Sequence, residues 1–421
     1  MDMVECANKR TGVIVAHPGT QHSYETALAL QEANLLRWYI TGFYFNRESS
    51  LGRTLRLFPN GIGAKLEREL RRRFKPGLAP ERVMTSPAAE LLYLASTRLG
   101  PLRRLSGNMM RWRNRRFDKW VAQVLAREMP AGVICYDSCA LRAFERAKSL
   151  GILCVLDQSI AHIKTMLRVL REEAQLHPEF ADTLPIEVPD WLVEQCCREL
   201  ELADAVLVSS AYGKQTLVEH GVSKGKIFLL PYGADVDRFK PARARNGQPF
   251  RVLFVGQLTQ RKGIKYLLEA FRQLALPDAE LLLVGSVVGS GRGLRRYRDA
   301  FKHISSVLHS DVHQWFLEAD LFVYPSLHEG SALATYEALA AGLPVIATPN
   351  CGSVVRDGIE GFIVPIRDVE ALKEKILLLY ENKGLCEEMS HRARLRAEEF
   401  TWAAYRQRLE RLLLHLLETR G

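Results

Sequence analysis

Short apolar runs alternate with amphipathic stretches along this chain of 421 residues. An apolar run at 12–16 precedes an amphipathic stretch at 22–34, and the same order returns at 132–135 and 140–149. Apolar runs of about four to eight residues are typical of strands buried on both faces, as in a parallel sheet covered by helices. The pattern therefore predicts repeated βα units and a doubly wound α/β fold.

The alternation is interrupted over residues 47–127 and restarts after residues 241–249. The first of these segments predicts a mostly helical insertion. The second is polar and contains two prolines and a glycine, which favours a linker between domains.

Beyond the linker the alternation is regular, with apolar runs at 250–255, 280–284, 321–324, 344–347 and 361–364. We therefore expect two Rossmann-like domains in tandem. The N-terminal domain spans 1–240, the C-terminal domain spans 241–397, and a helix within 398–421 packs back on the N-terminal domain. In such folds ligands bind at the carboxyl ends of the strands, so we expect the site in a cleft between the domains.

The composition is that of an ordinary globular protein, with 47% hydrophobic and 25% charged residues. No run approaches the roughly 18 apolar residues of a spanning helix. Asp2 and Glu5 stand where a secretion signal is basic and then apolar, so we expect a cytoplasmic protein. The eight cysteines lack C-x-x-C spacing, which favours reduced thiols over a metal site.

The net charge of +10 is concentrated in the predicted insertion. Residues 47–127 hold nineteen Lys and Arg against six Asp and Glu, and Leu66, Leu70 and Phe74 form one helical stripe among the cations. A solvated helical surface explains this pattern. So does an interfacial helix attracted to an anionic membrane surface, or a docking face for an anionic acceptor. No nucleic-acid recognition module accompanies the charge, so we expect no nucleic-acid partner.

The strongest local signal begins at the end of the predicted strand 321–324 and turns into a helix at Gly330. The backbone N–H groups of Gly330, Ser331 and Ala332 are expected to be free at the start of that helix. There they and the helix dipole favour an anion or sugar oxygens.

Two carboxylates, Glu329 and Glu337, belong to the same segment. Glu329 lies on the loop at the N-terminus of the predicted helix, and Glu337 lies about two turns later. An ionised carboxylate only accepts hydrogen bonds, so both suit hydroxyl groups of a sugar or ribose better than phosphate. The alternative is a helix-terminal charge and a surface residue.

A second signal follows the predicted strand 250–255, where a loop brings Gly256, Arg261 and Lys262 to the carboxyl edge of the sheet. The two cations suit a diphosphate and charge developing on a leaving group. A third signal is the loop at 17–22 with Gly19, where glycine allows close backbone approach to a ligand. Neither G-x-G-x-x-G nor a P-loop occurs, which disfavours dehydrogenases and P-loop enzymes.

Together these segments resemble the nucleotide-sugar glycosyltransferases of family 4, which have the two-domain GT-B fold and retain anomeric configuration. The resemblance runs from about residue 12 to 402, and its most specific part is the E-x7-E motif from Glu329 to Glu337. Supporting segments are 203–209, 231–239 and 357–365.

The resemblance implies a role for each motif. Glu337 is expected to bind the donor ribose, Glu329 to lie beside the donor sugar, and Lys262 to bind the diphosphate. The loop with Gly19 is expected to close over the reacting centre, and Gly256, Gly330, Ser331 and Ala332 are expected to contact the donor.

Two positions depart from the family pattern. Gln257 stands where an arginine commonly follows the loop glycine, so Arg261 is expected to supply the second cation. The family commonly has a first-domain histidine beside the donor sugar. His162 comes several residues late for that role, Asp157 is an equally good occupant, and the alternative for His162 is a helix cap or a core residue.

We expect no metal and no cofactor besides the donor, which is UDP- or GDP-linked. Asp235 and Asp237 imitate a metal-binding D-x-D, but their place in the crossover between domains favours a structural turn. The expected activity is retaining transfer of a sugar to a sugar, lipid-linked or polysaccharide acceptor. The sequence is also compatible with a peripheral position at the inner face of the membrane. The alternatives are a catalytically silent nucleotide-sugar-binding subunit of a membrane-surface assembly, and an epimerase or phosphorylase of the same fold.

Overall fold

The computed structural model describes residues 11–46, 70, 73–98, 105–241, 248–305 and 311–419. Within them, the first parallel sheet has the strand order β3-β2-β1-β4-β5-β6-β7. Every residue of β1, β4, β5 and β6 is buried, as the unbroken apolar runs require. The strands are β1 Val13–His17, β2 Leu36–Thr41, β3 Val83–Thr85, β4 Gly132–Tyr136, β5 Leu153–Gln158, β6 Ala205–Val208 and β7 Ile227–Leu229.

The helices of this half are α1 Ser23–Glu32, α2 Pro87–Arg98, α3 Ser106–Glu128, α4 Leu141–Ser149, α5 Ile163–Leu176, α6 Asp190–Leu202 and α7 Ala211–Glu219. The described part of the predicted insertion consists mainly of α2 and α3, with β3 added at the sheet edge. Leu66, Arg71 and Arg72 lie outside the described residues.

The second parallel sheet has the order β10-β9-β8-β11-β12-β13 in the described residues. Its strands are β8 Phe250–Val255, β9 Ala279–Val284, β10 Lys302–Ile304, β11 Leu321–Tyr324, β12 Val345–Ala347 and β13 Gly361–Ile363. The helices are α8 Ile264–Leu274, α9 His313–Leu317, α10 Leu333–Ala340, α11 Val369–Glu381, α12 Lys383–Glu399 and α13 Trp402–Glu418. The two sheets confirm the predicted doubly wound fold.

The chain divides into two compact units. The first comprises Met1–Asp157, Glu194–Leu207 and Arg406–Gly421, and the second comprises Gln158–Val193 and Val208–Tyr405. The predicted domain limits at 240 and 397 stay predictions, and most of the predicted linker, residues 242–247, lies outside the described residues.

The C-terminal helix α13 joins the first unit through Arg406. Its guanidinium pairs with Glu25 and Glu32 of α1, each at 2.8 Å. These ion pairs confirm the predicted return of the C-terminal helix to the N-terminal half.

The second unit contains α5, which is held against the second sheet by the fully buried carboxylate of Glu173. This carboxylate accepts hydrogen bonds from the side chains of Gln260 (2.7 Å) and Tyr266 (2.8 Å), and it pairs with Arg367 at 2.8 Å. Because the charge is paired and also hydrogen-bonded, its burial is tolerated. Residues 158–193, which precede the predicted linker in sequence, therefore pack in the second unit together with the second sheet.

The N-terminus of α4 in the first unit is capped by two buried carboxylates. Asp118 accepts from the amides of Arg142 and Ala143, each at 2.8 Å. Glu199 accepts from the amides of Ala140 (2.9 Å) and Ser138 (2.7 Å). These bonds satisfy donors that a helix start leaves without an intrahelical partner.

Glu199→Ala should therefore destabilise the first unit by about 2–4 kcal/mol, because several buried amide donors lose their acceptor. The expected result is a fall of several degrees in Tm, read by circular dichroism. Glu201→Ala, which removes an exposed carboxylate of the same helix, is the matched control and should change Tm little. Equal effects of the two substitutions would contradict the capping role.

Candidate functional site

The loops after β8 and β11 lie side by side because these strands are neighbours in the second sheet. The first loop makes one 3₁₀ turn over Gln260–Lys262 and ends at Gly263, whose φ is +69°. A Cβ atom at Gly263 would lie 1.9 Å from the carbonyl oxygen of Pro325, so only glycine fits there. This close approach brings Arg261 and Lys262 to the start of the second loop.

Arg261, Lys262 and Glu329 form one ion cluster. The Glu329 carboxylate lies 2.7 Å from Nη1 of Arg261 and 3.2 Å from Nζ of Lys262. Arg261 also donates to the carbonyl of His328 at 2.8 Å, and Lys262 hydrogen-bonds the hydroxyl of the buried Tyr324. Two separate sequence signals thus meet, and Tyr324 is a member of the cluster that no motif indicated.

The charges of this cluster fix the ionisation of Glu329. Burial alone would raise the pKa of Glu329, but Lys262 and Arg261 outweigh it and lower the pKa to about 2. Burial alone would lower the pKa of Arg261. The negative charge of Glu329 outweighs this effect, so the pKa of Arg261 is raised. The cluster therefore contains two cations and one carboxylate, a net charge of +1.

The turn that precedes α10 presents free amides beside this cluster. The N–H groups of Gly330 and Ser331 have no acceptor among the described residues. The amide of Ala332, in contrast, donates to the carbonyl of Cys351 at 3.1 Å. The expectation that Ala332 offers a free N–H is therefore wrong, because the turn at Pro349–Cys351 packs against it.

Gly330 is required by a second close approach. A Cβ atom there would lie 2.1 Å from the carbonyl oxygen of Ser159. The carbonyl of Gly330 accepts a hydrogen bond from the hydroxyl of Ser210. The loop that offers the free amides is thus fixed by residues of the second unit that precede the second sheet in sequence.

Glu337 lies in α10, and its carboxylate forms no hydrogen bond or ion pair with any described residue. Burial raises the pKa of Glu337 to about 7, although the positive charge of Arg238 opposes the shift. A desolvated carboxylate without a partner is ready to accept hydrogen bonds from a ligand.

His162 lies at the N-terminus of α5, where it acts as the cap. Its Nδ1 accepts from the amide of Lys164 at 3.2 Å, and its ring stacks on His220 with 4.0 Å between centroids. Burial and then the charge of His220 lower the pKa of His162 to about 3. The structure thus gives His162 the capping role, and a catalytic role for it stays a prediction.

The first sheet carries a second group of polar residues at its carboxyl edge. Gly19 donates its amide to Nδ1 of His17 at 3.0 Å. His22 lies 2.7 Å from the carboxylate of Asp157. Asp157 is the last residue of β5 that belongs to the first unit. The sequence indicated the loop and Asp157 separately, but not the His22–Asp157 pair.

Gly256, also predicted to bind the donor, follows β8 with φ of +151°. A Cβ there would lie 3.5 Å from the Lys262 side chain. Asp235 accepts from the amide of Arg238 at 3.1 Å, as expected for a turn. No group of three His, Cys, Asp or Glu that could hold a metal occurs within the described ranges.

Comparison with known proteins shows the fold and a family similarity for part of the chain. Residues 235–396 match the family model described as Glycosyl transferases group 1. The D-inositol 3-phosphate glycosyltransferase of Streptomyces avermitilis is 31% identical over 228 residues, which are 48% of this chain and 49% of that protein. The chain thus spans about half the length of the curated relatives it matches.

Solved structures with similar folds cover almost the whole chain. The sucrose-phosphate synthase of Thermosynechococcus elongatus matches 97% of this chain and all of its own, with 19% identity and a TM-score of 0.63. Anabaena HepE, solved with UDP and glucose, matches 96% of this chain and all of its own, with 14% identity and a TM-score of 0.59. The fold is therefore the GT-B fold.

Gly330→Ala should destabilise the second unit by about 2–4 kcal/mol, because the new methyl group would collide with the Ser159 backbone. The measurement is Tm by calorimetry. Gly384→Ala is the matched control, since a Cβ at Gly384 in α12 meets nothing within 4 Å, and it should leave Tm unchanged or slightly higher. An unchanged Tm for Gly330→Ala would contradict the close contact.

Glu337→Gln should stabilise the protein above pH 7 and not at pH 5. The pKa of Glu337 is raised, so its ionised form costs folding free energy, and this cost grows as pH rises from about 4.5 to 7. The glutamine variant avoids it, with an expected gain of about 1–3 kcal/mol at pH 8 over its effect at pH 5. Tm at both pH values measures the gain, and the exposed Glu381→Gln serves as the control. A pH-independent difference would contradict the desolvation of Glu337.

Proposed function

We propose that this chain is a retaining glycosyltransferase, which transfers a sugar from a nucleoside diphosphate to an acceptor hydroxyl. The observation that carries the proposal is the ion cluster of Arg261, Lys262 and Glu329 beside the free amides of Gly330 and Ser331. These residues lie within the segment that matches the family model.

The diphosphate of the donor binds at this cluster. The cluster has a net charge of +1, and the start of α10 adds the positive end of the helix dipole. Arg261 and Lys262 also stabilise the negative charge that develops on the diphosphate as the bond to the sugar breaks. Because side chains supply this charge, we propose that the reaction needs no metal and no cofactor besides the donor.

Glu337 binds the ribose of the donor. A ribose diol supplies the two O–H donors that the unpartnered carboxylate lacks. These hydrogen bonds favour the ionised carboxylate, so donor affinity should fall as pH drops below about 7, the pKa of Glu337.

Retention follows from front-face transfer without a covalent intermediate. The bond from the anomeric carbon to the diphosphate oxygen breaks, and the acceptor oxygen bonds to the same face. The acceptor proton passes to the leaving phosphate. Glu329 is a poor nucleophile and a poor base for this step, because both its oxygens face cations and its pKa is about 2.

We propose a UDP-linked donor before a GDP-linked one, since HepE was solved with UDP. We further propose a sugar, lipid-linked or polysaccharide acceptor and a cytoplasmic chain at the inner face of the membrane. Exposed apolar side chains on α2 (Leu91 and Leu92) and on α3 (Trp112), with the exposed Arg115 on α3, support contact with an anionic membrane surface. Described helices offer no segment long and apolar enough to cross a membrane.

The basic segment contributes less surface charge than its sequence indicates. Arg73 pairs at 2.7 Å with the fully buried Glu90, as does Arg113 at 2.9 Å. Both cations are used inside the first unit, so a test of membrane contact should change Arg111 and Arg115 instead.

UDP or a UDP-sugar without metal should raise the Tm of the wild type, because a ligand that binds only the folded state stabilises it by about 2.7 kcal/mol at a 100-fold excess over Kd. Lys262→Ala and Glu337→Ala should each lose most of this response. Lys373→Ala, which removes a lysine paired with Glu370 on α11, should keep it. EDTA should leave the response unchanged.

Turnover with an acceptor panel tests the chemistry, with the anomeric configuration of the product read by NMR. Retained configuration agrees with the proposal, and an inverted product or a trapped glycosyl-enzyme contradicts it. Nucleotide binding without transfer or hydrolysis on any acceptor would favour a silent binding subunit.

A further inference from the structure

A cavity of about 380 Å³ opens within the first unit, and none of its lining residues belongs to the ion cluster of the second. Pro18, Gly42 and Ser86 line it, and each directly follows a strand: β1, β2 and β3. The cavity therefore lies at the carboxyl edge of the first sheet, where doubly wound folds bind their ligands.

The helix α3 gives this cavity its charge. Arg113, Arg116 and Lys119 line it, and these positions lie on neighbouring turns of one helix face. Among the described residues that line the cavity, Glu90 of α2 is the one carboxylate. Three cations and one carboxylate around a single cavity favour an anionic ligand.

The carboxylate of Glu90 does not neutralise the cavity. One of its oxygens lies 2.9 Å from Arg113 and the other 2.7 Å from Arg73, which itself lies outside the lining. Glu90 is thus already shared between the buried guanidinium of Arg113 and the partly buried guanidinium of Arg73. Arg116 stacks on the ring of Trp112, and neither Arg116 nor Lys119 has a carboxylate partner among the described residues. These two charges are available to a ligand.

Two aromatic rings of α3 also line the cavity. Phe117 and Trp120 line it and meet edge to face at 5.9 Å. Trp120 is half-buried, so part of its ring is open to a ligand. An aromatic surface beside cations suits the carbon-bound hydrogens of a sugar or polyol that carries an anionic group.

The cavity begins beside the loop of Gly19. A Cβ atom at Gly19 would lie 4.0 Å from Nη1 of Arg113. A ligand bound at Arg116 and Lys119 would therefore lie at the same edge of the first sheet as the loop of Gly19. This is the loop that we expect to close over the reacting centre.

We infer that this cavity is a subsite for an anionic acceptor, a sugar or polyol that carries a phosphate or carboxylate group. Arg116 and Lys119 bind the anionic group, and Trp120 packs against the ring. That the ligand is the acceptor rests on the proposed function. That an anion binds here does not.

The experiment measures binding of glucose 6-phosphate, glucuronate and glucose by saturation-transfer NMR and calorimetry. All proteins carry Lys262→Ala, which weakens phosphate binding at the ion cluster of the second unit. Both anionic sugars should bind, and glucose should bind much more weakly. R116Q/K119Q should weaken binding of the anions about tenfold or more, because two charge-assisted hydrogen bonds are lost.

R115Q/R127Q is the matched control, since it removes the same charge from α3 at residues that do not line the cavity. It should leave binding unchanged. Trp120→Ala should weaken glucose 6-phosphate but not inorganic phosphate. Equal losses in the two double variants, or anion binding unaffected by R116Q/K119Q, would overturn the subsite, and an unaltered affinity in Trp120→Ala would overturn the placing of the ring.

The UDP response of the otherwise wild-type protein separates this inference from the proposed function. Anion binding that depends on Arg116 and Lys119, with no response to any nucleotide, would sink the proposed function and keep the site. A nucleotide response with no such anion binding would do the reverse.

Discussion

The burial of Glu329 between Arg261 and Lys262 is the interaction on which the second unit's site depends. Each charge would be costly to bury alone, and removing one partner of such a cluster leaves another uncompensated. The cluster exists because β8 and β11 are neighbours and because Gly263 lets the loop after β8 approach the backbone of Pro325 after β11. The same packing leaves the amides of Gly330 and Ser331 free. The ion pairs of Glu329 and the free amides of Gly330 and Ser331 therefore depend on the same packing of loops.

The strands were largely predictable, and the polar contacts were not. The predicted strands at 250–255 and 321–324 agree with β8 and β11 at both ends, since unbroken apolar runs mark strands buried on both faces. The short β10, with sequence Lys-His-Ile, carries no such signal. Edge strands lack the apolar continuity that the prediction uses.

The site was predictable as a set of residues but not as a set of pairs. Arg261, Lys262 and Glu329 each followed from a motif, yet their mutual ion pairs depend on loop packing that one sequence does not encode locally. The occupied amide of Ala332 has the same origin, since its acceptor at Cys351 belongs to a turn after the next strand. Likewise, the sequence indicates Arg73 as part of the basic surface, whereas in the structure its guanidinium pairs with Glu90.

The anchoring of Gly330 by Ser159 and Ser210, together with the bonds of Glu173 to Gln260 and Arg367, has a consequence for protein engineering. A fragment cut at the linker would start after the residues that fix its own loop at Gly330 and Ser331. Chimeras that exchange only the segment after residue 241 would pair this loop with foreign anchors. Interchangeable modules of this protein are discontinuous in sequence, and a successful graft must carry 158–193 and 208–240 along with the second sheet.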